Sequence, residues 1–156
     1  MKMRKAVVGV VAMMGLGLLC STSAAQTTQE KKAWDEIEAK SKATAEAIKG
    51  FCGVAVTIMP DRKTWNTVEL ASNPAKWCIE EGESVFRSLC SDKDYKAAVA
   101  KSVKNVSCVN DPSLKKESKD NYGNKFSLKN GTVEWRYHKD SANLNEKFTE
   151  FLKKAL

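Results

Sequence analysis

Four cysteines constrain this 156-residue chain more than any other feature: Cys52, Cys78, Cys90 and Cys108. A fifth, Cys20, lies near the start. There is no Cys-x-x-Cys pair, and His138 is the only histidine, so the ligand spacing of a zinc site is absent. An even set of cysteines in an exported chain reads instead as two disulfides, which persist in oxidising compartments. Export is therefore the first question to ask of the sequence.

Residues 1–25 have the layout of a secretory signal peptide. Lys2, Arg4 and Lys5 make a basic start, Ala6 to Leu19 an apolar run, and Ser21 to Ala25 a small, polar end. The fourteen-residue apolar run is shorter than the roughly 20 residues a helix needs to cross a bilayer. Ser23 and Ala25 suit the −3 and −1 positions of a cut before Gln26. Acylation at Cys20 would need a branched apolar residue at −3 and a small one at −1. The order here is reversed, Gly17 then Leu19, which argues against a lipoprotein. The short basic leader is bacterial in style, so the expected location is the periplasm or the medium. Cleavage leaves residues 26–156 as one domain, with four cysteines and no remaining membrane-spanning helix. It removes three basic residues and no acidic ones, so a net charge of +7 becomes +4.

Periodicity along the mature chain indicates an α+β domain. Trp34, Ile37, Ser41, Thr44, Ala45 and Ile48 recur at helical spacing over 30–49, and Gly50 and Gly53 punctuate the end. Val54 to Met59 is a β-branched run closed by Pro60-Asp61, a strand signal. Residues 62–72 are ambiguous between a strand and a helical turn. Asn73 and Pro74 open a second helix with Ala75, Cys78, Ile79, Gly82, Phe86 and Leu89 on one face. A short helix from Asp92 turns Tyr95, Ala98, Val99 and Val103 inward, and 106–109 is a strand carrying Cys108. A polar connector covers 110–124.

Asn130-Gly131 is a strong hairpin-turn signal. A two-residue turn sets Lys129 opposite Thr132, Leu128 opposite Val133 and Phe126 opposite Trp135, with Tyr137 continuing the apolar face. The hairpin spans 125–138. Asn143 and Glu146 then cap a last helix striped by Leu144, Phe148, Phe151, Leu152 and Ala155. The fold expected is a small, mainly antiparallel sheet packed against three or four helices. Cys78 and Cys90, twelve residues apart on one helix, would be separated by about 18 Å. A disulfide needs Cα atoms within about 7 Å, so they do not pair unless Gly82 breaks the helix. That leaves 52–90 with 78–108, or 52–78 with 90–108. A helix running back antiparallel to strand 54–59 favours the first.

Candidate chemistry is sparse. No phosphate loop, nucleophile elbow or zincin motif occurs, and no cofactor or metal is implied. Alternation puts His138, the only imidazole, on the outward hairpin face beside Arg136 and Glu134, as a solvated strand residue. Glu80, Glu81 and Glu83 point in different directions around one helix, which reads as a solvated face more readily than as a hydrolase pair. Two features suggest binding. Trp77 lies opposite its helix's core stripe, either covered by 60–72 or the first helix, or exposed as an anchor. Lys125, Lys129, Arg136 and His138 gather on the hairpin's outward face, either to receive an acidic partner or to discourage strand pairing. Nucleic acid is disfavoured by export and by the modest charge.

The expectation is an exported, non-enzymatic binding protein of the cell envelope, of inhibitor, immunity or adaptor type, acting on a protein partner. The alternatives are a small envelope hydrolase using paired carboxylates and a passive structural envelope protein.

Overall fold

A computed structural model describes residues 20–66, 69, 73–117, 123–141 and 144–156. The leader's basic start and apolar run, the Asn143 cap and part of the ambiguous 62–72 stretch lie outside them.

The first helix, α1 (Cys20–Cys52), begins ten residues before the amphipathic stretch that periodicity detects. Its early turns carry no apolar stripe to signal them, and from Thr28 onward, where burial is described, Ala33 is the first buried residue. Trp34, Ile37, Ser41, Thr44 and Ile48 are buried as their spacing requires, with Ala45 half-buried. The helix stops at Gly53, which takes a left-handed φ of +81° and donates its N–H to the Lys49 carbonyl at 2.9 Å. Strand β1 follows at Thr57–Pro60, and α2 at Asn73–Leu89.

Helix α2 buries its whole expected stripe and adds Val85. Gly82 does not interrupt it. A Cβ at that position would come within 2.5 Å of Ile58 Cδ1, so glycine lets β1 lie close against the helix. Helix α3 (Lys93–Ser102) is capped by the Asp92 carboxylate, which accepts from the N–H groups of Asp94 and Tyr95. Val99 and Val103 are buried, while Tyr95 and Ala98 are half-buried.

Strands β2 (Asn105–Asn110), β3 (Lys125–Lys129) and β4 (Thr132–Tyr137) complete a sheet of order β1-β2-β4-β3. The expected antiparallel sheet is corrected to a mixed one: β1 and β2 pair parallel, β2 and β4 pair parallel, and only β3–β4 is antiparallel. Helices α2 and α3 lie between β1 and β2 among the described residues, a crossover long enough to return the chain to the starting end, as parallel pairing requires. The connector after β2 carries the chain past the neighbouring position to the far edge. The hairpin's return strand then enters beside β2. Within the hairpin the register matches expectation, pairing Phe126 with Trp135, Leu128 with Val133 and Lys129 with Thr132. Asn130 and Gly131 have φ of +53° and +78°, the conformation of a type I′ turn.

Ile58, Val106, Cys108, Val133, Trp135 and Tyr137 form the inner face of the sheet, and the helices pack on that side. The last helix, α4 (Leu144–Ala155), stacks Phe148 on Trp135 at 4.4 Å and sets it edge-on to Phe86 at 6.0 Å. Leu144, Phe148 and Leu152 are buried and Phe151 half-buried. Ala155, expected in the stripe, is exposed, while Leu156 after it is half-buried against the core.

Both disulfides take the favoured pairing. Cys52 at the end of α1 joins Cys90 just past α2, with Cα atoms 5.1 Å apart. Cys78 joins Cys108 in the middle of β2 at 6.3 Å. One staple thus ties the two long helices, and the other ties α2 to the sheet.

Candidate functional site

Side chains alternate across a strand, so burying one face of the sheet turns Thr57, Ser107, Ser127, Glu134 and their neighbours to the other. Among the described elements no helix packs on this outer face. Lys125 and Lys129 on β3 and Arg136 on β4 stand there. Lys125 lies directly opposite Arg136, so the expected like-charge pair is real in register. Carboxylates offset it. Arg136 Nε donates to Glu134 Oε1 at 2.6 Å, and its guanidinium approaches Asp111 at 3.7 Å. The Asp111 carboxyl is held below the usual carboxylate range, first by the Ser113 hydroxyl at 2.5 Å, with Lys125 and Arg136 adding to the effect. Lys125 and Lys129 are exposed and form no ion pair among the described residues.

His138 is placed differently from expectation. Strand β4 ends at Tyr137, so alternation no longer governs the next residue. His138 Nδ1 accepts the Asp140 N–H at 3.2 Å, and its carbonyl accepts the Ser141 N–H at 2.9 Å. The imidazole lines a cleft of about 360 Å³ at the carboxyl ends of the parallel strands β1, β2 and β4. Open sheets with parallel strands commonly place ligand crevices at that end. Trp65 closes the cleft from β1's side. Its ring packs 5.5 Å from Tyr137, and its Nε1–H donates to the Cys108 carbonyl at 2.9 Å. Glu69 pairs with Lys139 at 3.2 Å and accepts from Asn110 Nδ2 at 3.4 Å.

Of the five residues singled out for binding, Lys125, Lys129 and Arg136 share the outer face, His138 turns into the adjoining cleft, and Trp77 joins neither. Trp77 is half-buried on α2, on the helical side of the sheet. The cleft residues Trp65, Glu69, Asn110 and Lys139 carried no signal in the sequence. They meet only because β1, β2 and β4 run parallel, and hydrophobic alternation does not encode strand direction.

The glutamates of α2 are not simply a solvated face. Glu80 pairs with Lys40, and Glu83 accepts from the Thr44 hydroxyl at 3.2 Å and from Arg87 at 2.8 Å. Two of the three therefore tie α2 to its neighbours. Burial raises the Glu81 carboxyl above its ordinary value, and adjacent Glu80 raises it further. Among the described residues, no three side chains of His, Cys, Asp or Glu come together as a metal site would require, and no helix is long and apolar enough to cross a membrane. Comparison of the chain with protein-family models, curated proteins and solved structures finds no match.

Proposed function

We propose that this chain is an exported, non-enzymatic binding protein that engages an acidic surface of a protein partner, working in the periplasm or outside the cell as an inhibitor, immunity factor or adaptor. The outer face of the sheet carries this reading. The outer side of the sheet presents a rigid surface that is exposed along β3 at Lys125, Ser127 and Lys129, although Val109 on β2 is buried there. Here Lys125 and Lys129 are exposed without an ion pair among the described residues, while Arg136 is held in place by Glu134 and Asp111. Two disulfides suit an oxidising compartment. A cut before Gln26 would remove only the first six residues of α1 and would leave Ala33, Trp34 and Ile37, which are buried in the core, in place.

Affinity capture from envelope extract tests the proposal. The oxidised protein is compared with a Lys125→Ala/Arg136→Ala variant whose melting temperature is checked alongside. A specific protein recovered by the first and lost by the second is the expected result. Recovery of no specific protein, or of the same one by both, would overturn it.

A further inference from the structure

A sheet has two edges, and here they differ. At β1, helix α1 packs alongside the strand, and Pro60 has no N–H to offer. At β3 nothing described lies alongside the strand: its one sheet neighbour is β4, and α4 reaches it from the inner face, through Phe148 and Phe151 stacked on Phe126. The type I′ turn fixes which backbone groups are free. In a two-residue hairpin the residues flanking the turn, Lys129 and Thr132, form a hydrogen-bonded pair, and bonded pairs then alternate. Lys125, Ser127 and Lys129 thus spend their backbone groups on β4, while Phe126 and Leu128 turn theirs outward. No hydrogen bond from those outward groups occurs among the described residues.

Side chains along this edge are equally specific. On the outer face, Lys125 and Lys129 flank Ser127, and both lysines are exposed. On the inner face, Phe126 and Leu128 are only half-buried, and beside them Phe151 of α4 is half-buried too. A second copy of this chain pairing antiparallel about Ser127 would set lysine against lysine at both ends, which is unfavourable. The lysines therefore act against self-pairing while favouring a strand of opposite charge.

The geometry points to β-strand addition at the free edge of β3, by a partner segment that alternates acidic with apolar residues. Its carboxylates lie beside Lys125 and Lys129. Its apolar side chains cover Phe126, Leu128 and Phe151. Its backbone takes up the outward N–H and C=O groups of Phe126 and Leu128, as in other cases of strand augmentation. This rests on the binding reading above and names the chemistry of the partner.

Amide exchange measured by NMR on the oxidised protein, expressed from its full reading frame, tests the proposal with synthetic peptides. The probes are a blocked heptapeptide alternating glutamate with valine, a lysine–valine counterpart, and a glutamate–valine copy methylated on alternate backbone nitrogens. The glutamate peptide is expected to slow exchange at Phe126 and Leu128, and the other two to leave it unchanged. In a Lys125→Glu/Lys129→Glu variant of unaltered melting temperature, affinity for the glutamate peptide should fall roughly tenfold and the lysine peptide should gain as much. Equal binding of both charges, protection of other amides instead, or protection that rises with protein concentration alone would overturn strand addition. So would failure of every peptide to bind. If envelope capture still recovered a face-dependent partner in that case, the binding reading would stand without this mode of docking.

Discussion

Gly82 is the position where a single methyl group tests the packing most directly. It sits in the middle of α2, fully on the buried stripe, where glycine costs about 1 kcal/mol relative to alanine in helix propensity. An exposed site would therefore gain about that much from Gly82→Ala. Here the added Cβ would stand 2.5 Å from Ile58 Cδ1. Ile58 is completely buried, and its β-branched χ1 is stiff, so only the Cδ1 methyl can swing aside, into neighbours already packed. Overpacking of this kind costs about 1–3 kcal/mol, which cancels or outweighs the propensity gain. Ile58→Val alone removes the clashing methyl and should cost about 0.5–1.5 kcal/mol as a small cavity. Combined, the two changes exchange one methyl for another in nearly the same space, so the double variant should exceed the additive expectation by about 1–3 kcal/mol. Urea unfolding of the four proteins with intact disulfides measures the cycle. Additivity within about 0.5 kcal/mol would refute the close approach of β1 to α2. So would a Gly82→Ala variant stabilised by the full propensity gain.

Three further outcomes follow from the same packing. The disulfides close spans of 38 and 30 residues, which the chain-entropy relation converts to about 3.9 and 3.6 kcal/mol. Replacing either pair with alanine should thus cost nearly the same in urea unfolding, and a pair whose removal costs under about 1 kcal/mol would contradict its role as a staple. Unreduced peptide mapping should return only the 52–90 and 78–108 links. Burial pushes the Tyr137 phenol above its ordinary value, favouring the neutral form in the folded state. Its contribution is therefore present below the unfolded phenol pKa, about 10, and is lost as pH rises beyond it, because only the unfolded chain releases the proton. Stability should fall above that pH, and less so in Tyr137→Phe. Equal alkaline loss in both proteins would show that Tyr137 is not the group responsible.

Local order was legible where the physics is local. The 125–138 hairpin follows from Asn130-Gly131 and the period-two alternation around it, because a tight turn fixes register without help from the rest of the chain. The stripes of α1 and α2 follow from helical spacing, and the length of α2 excludes a 78–90 link. The composition of the outer face, with Lys125 opposite Arg136, is a consequence of the same register. The signal failed one residue past a strand end, at His138, where alternation no longer applies. It failed also at Gly82, whose place in a helix makes sense only once β1 lies against it.

The chain's own residues thus determined its helices, its hairpin and, through the distance along one helix, the exclusion of a 78–90 link, while the choice between the two remaining cysteine pairings fell to the tertiary structure. Tertiary structure alone decided that β4 enters between β2 and β3, because apolar alternation records which face of a strand is buried but not its direction or its neighbours. That choice made the sheet mixed and brought Trp65, Asn110 and His138 to one end of it. It also left β3 at the edge of the sheet, with nothing alongside it among the described residues. An edge is defined by what does not pack beside it, and that is a property of the whole assembly of elements rather than of any segment.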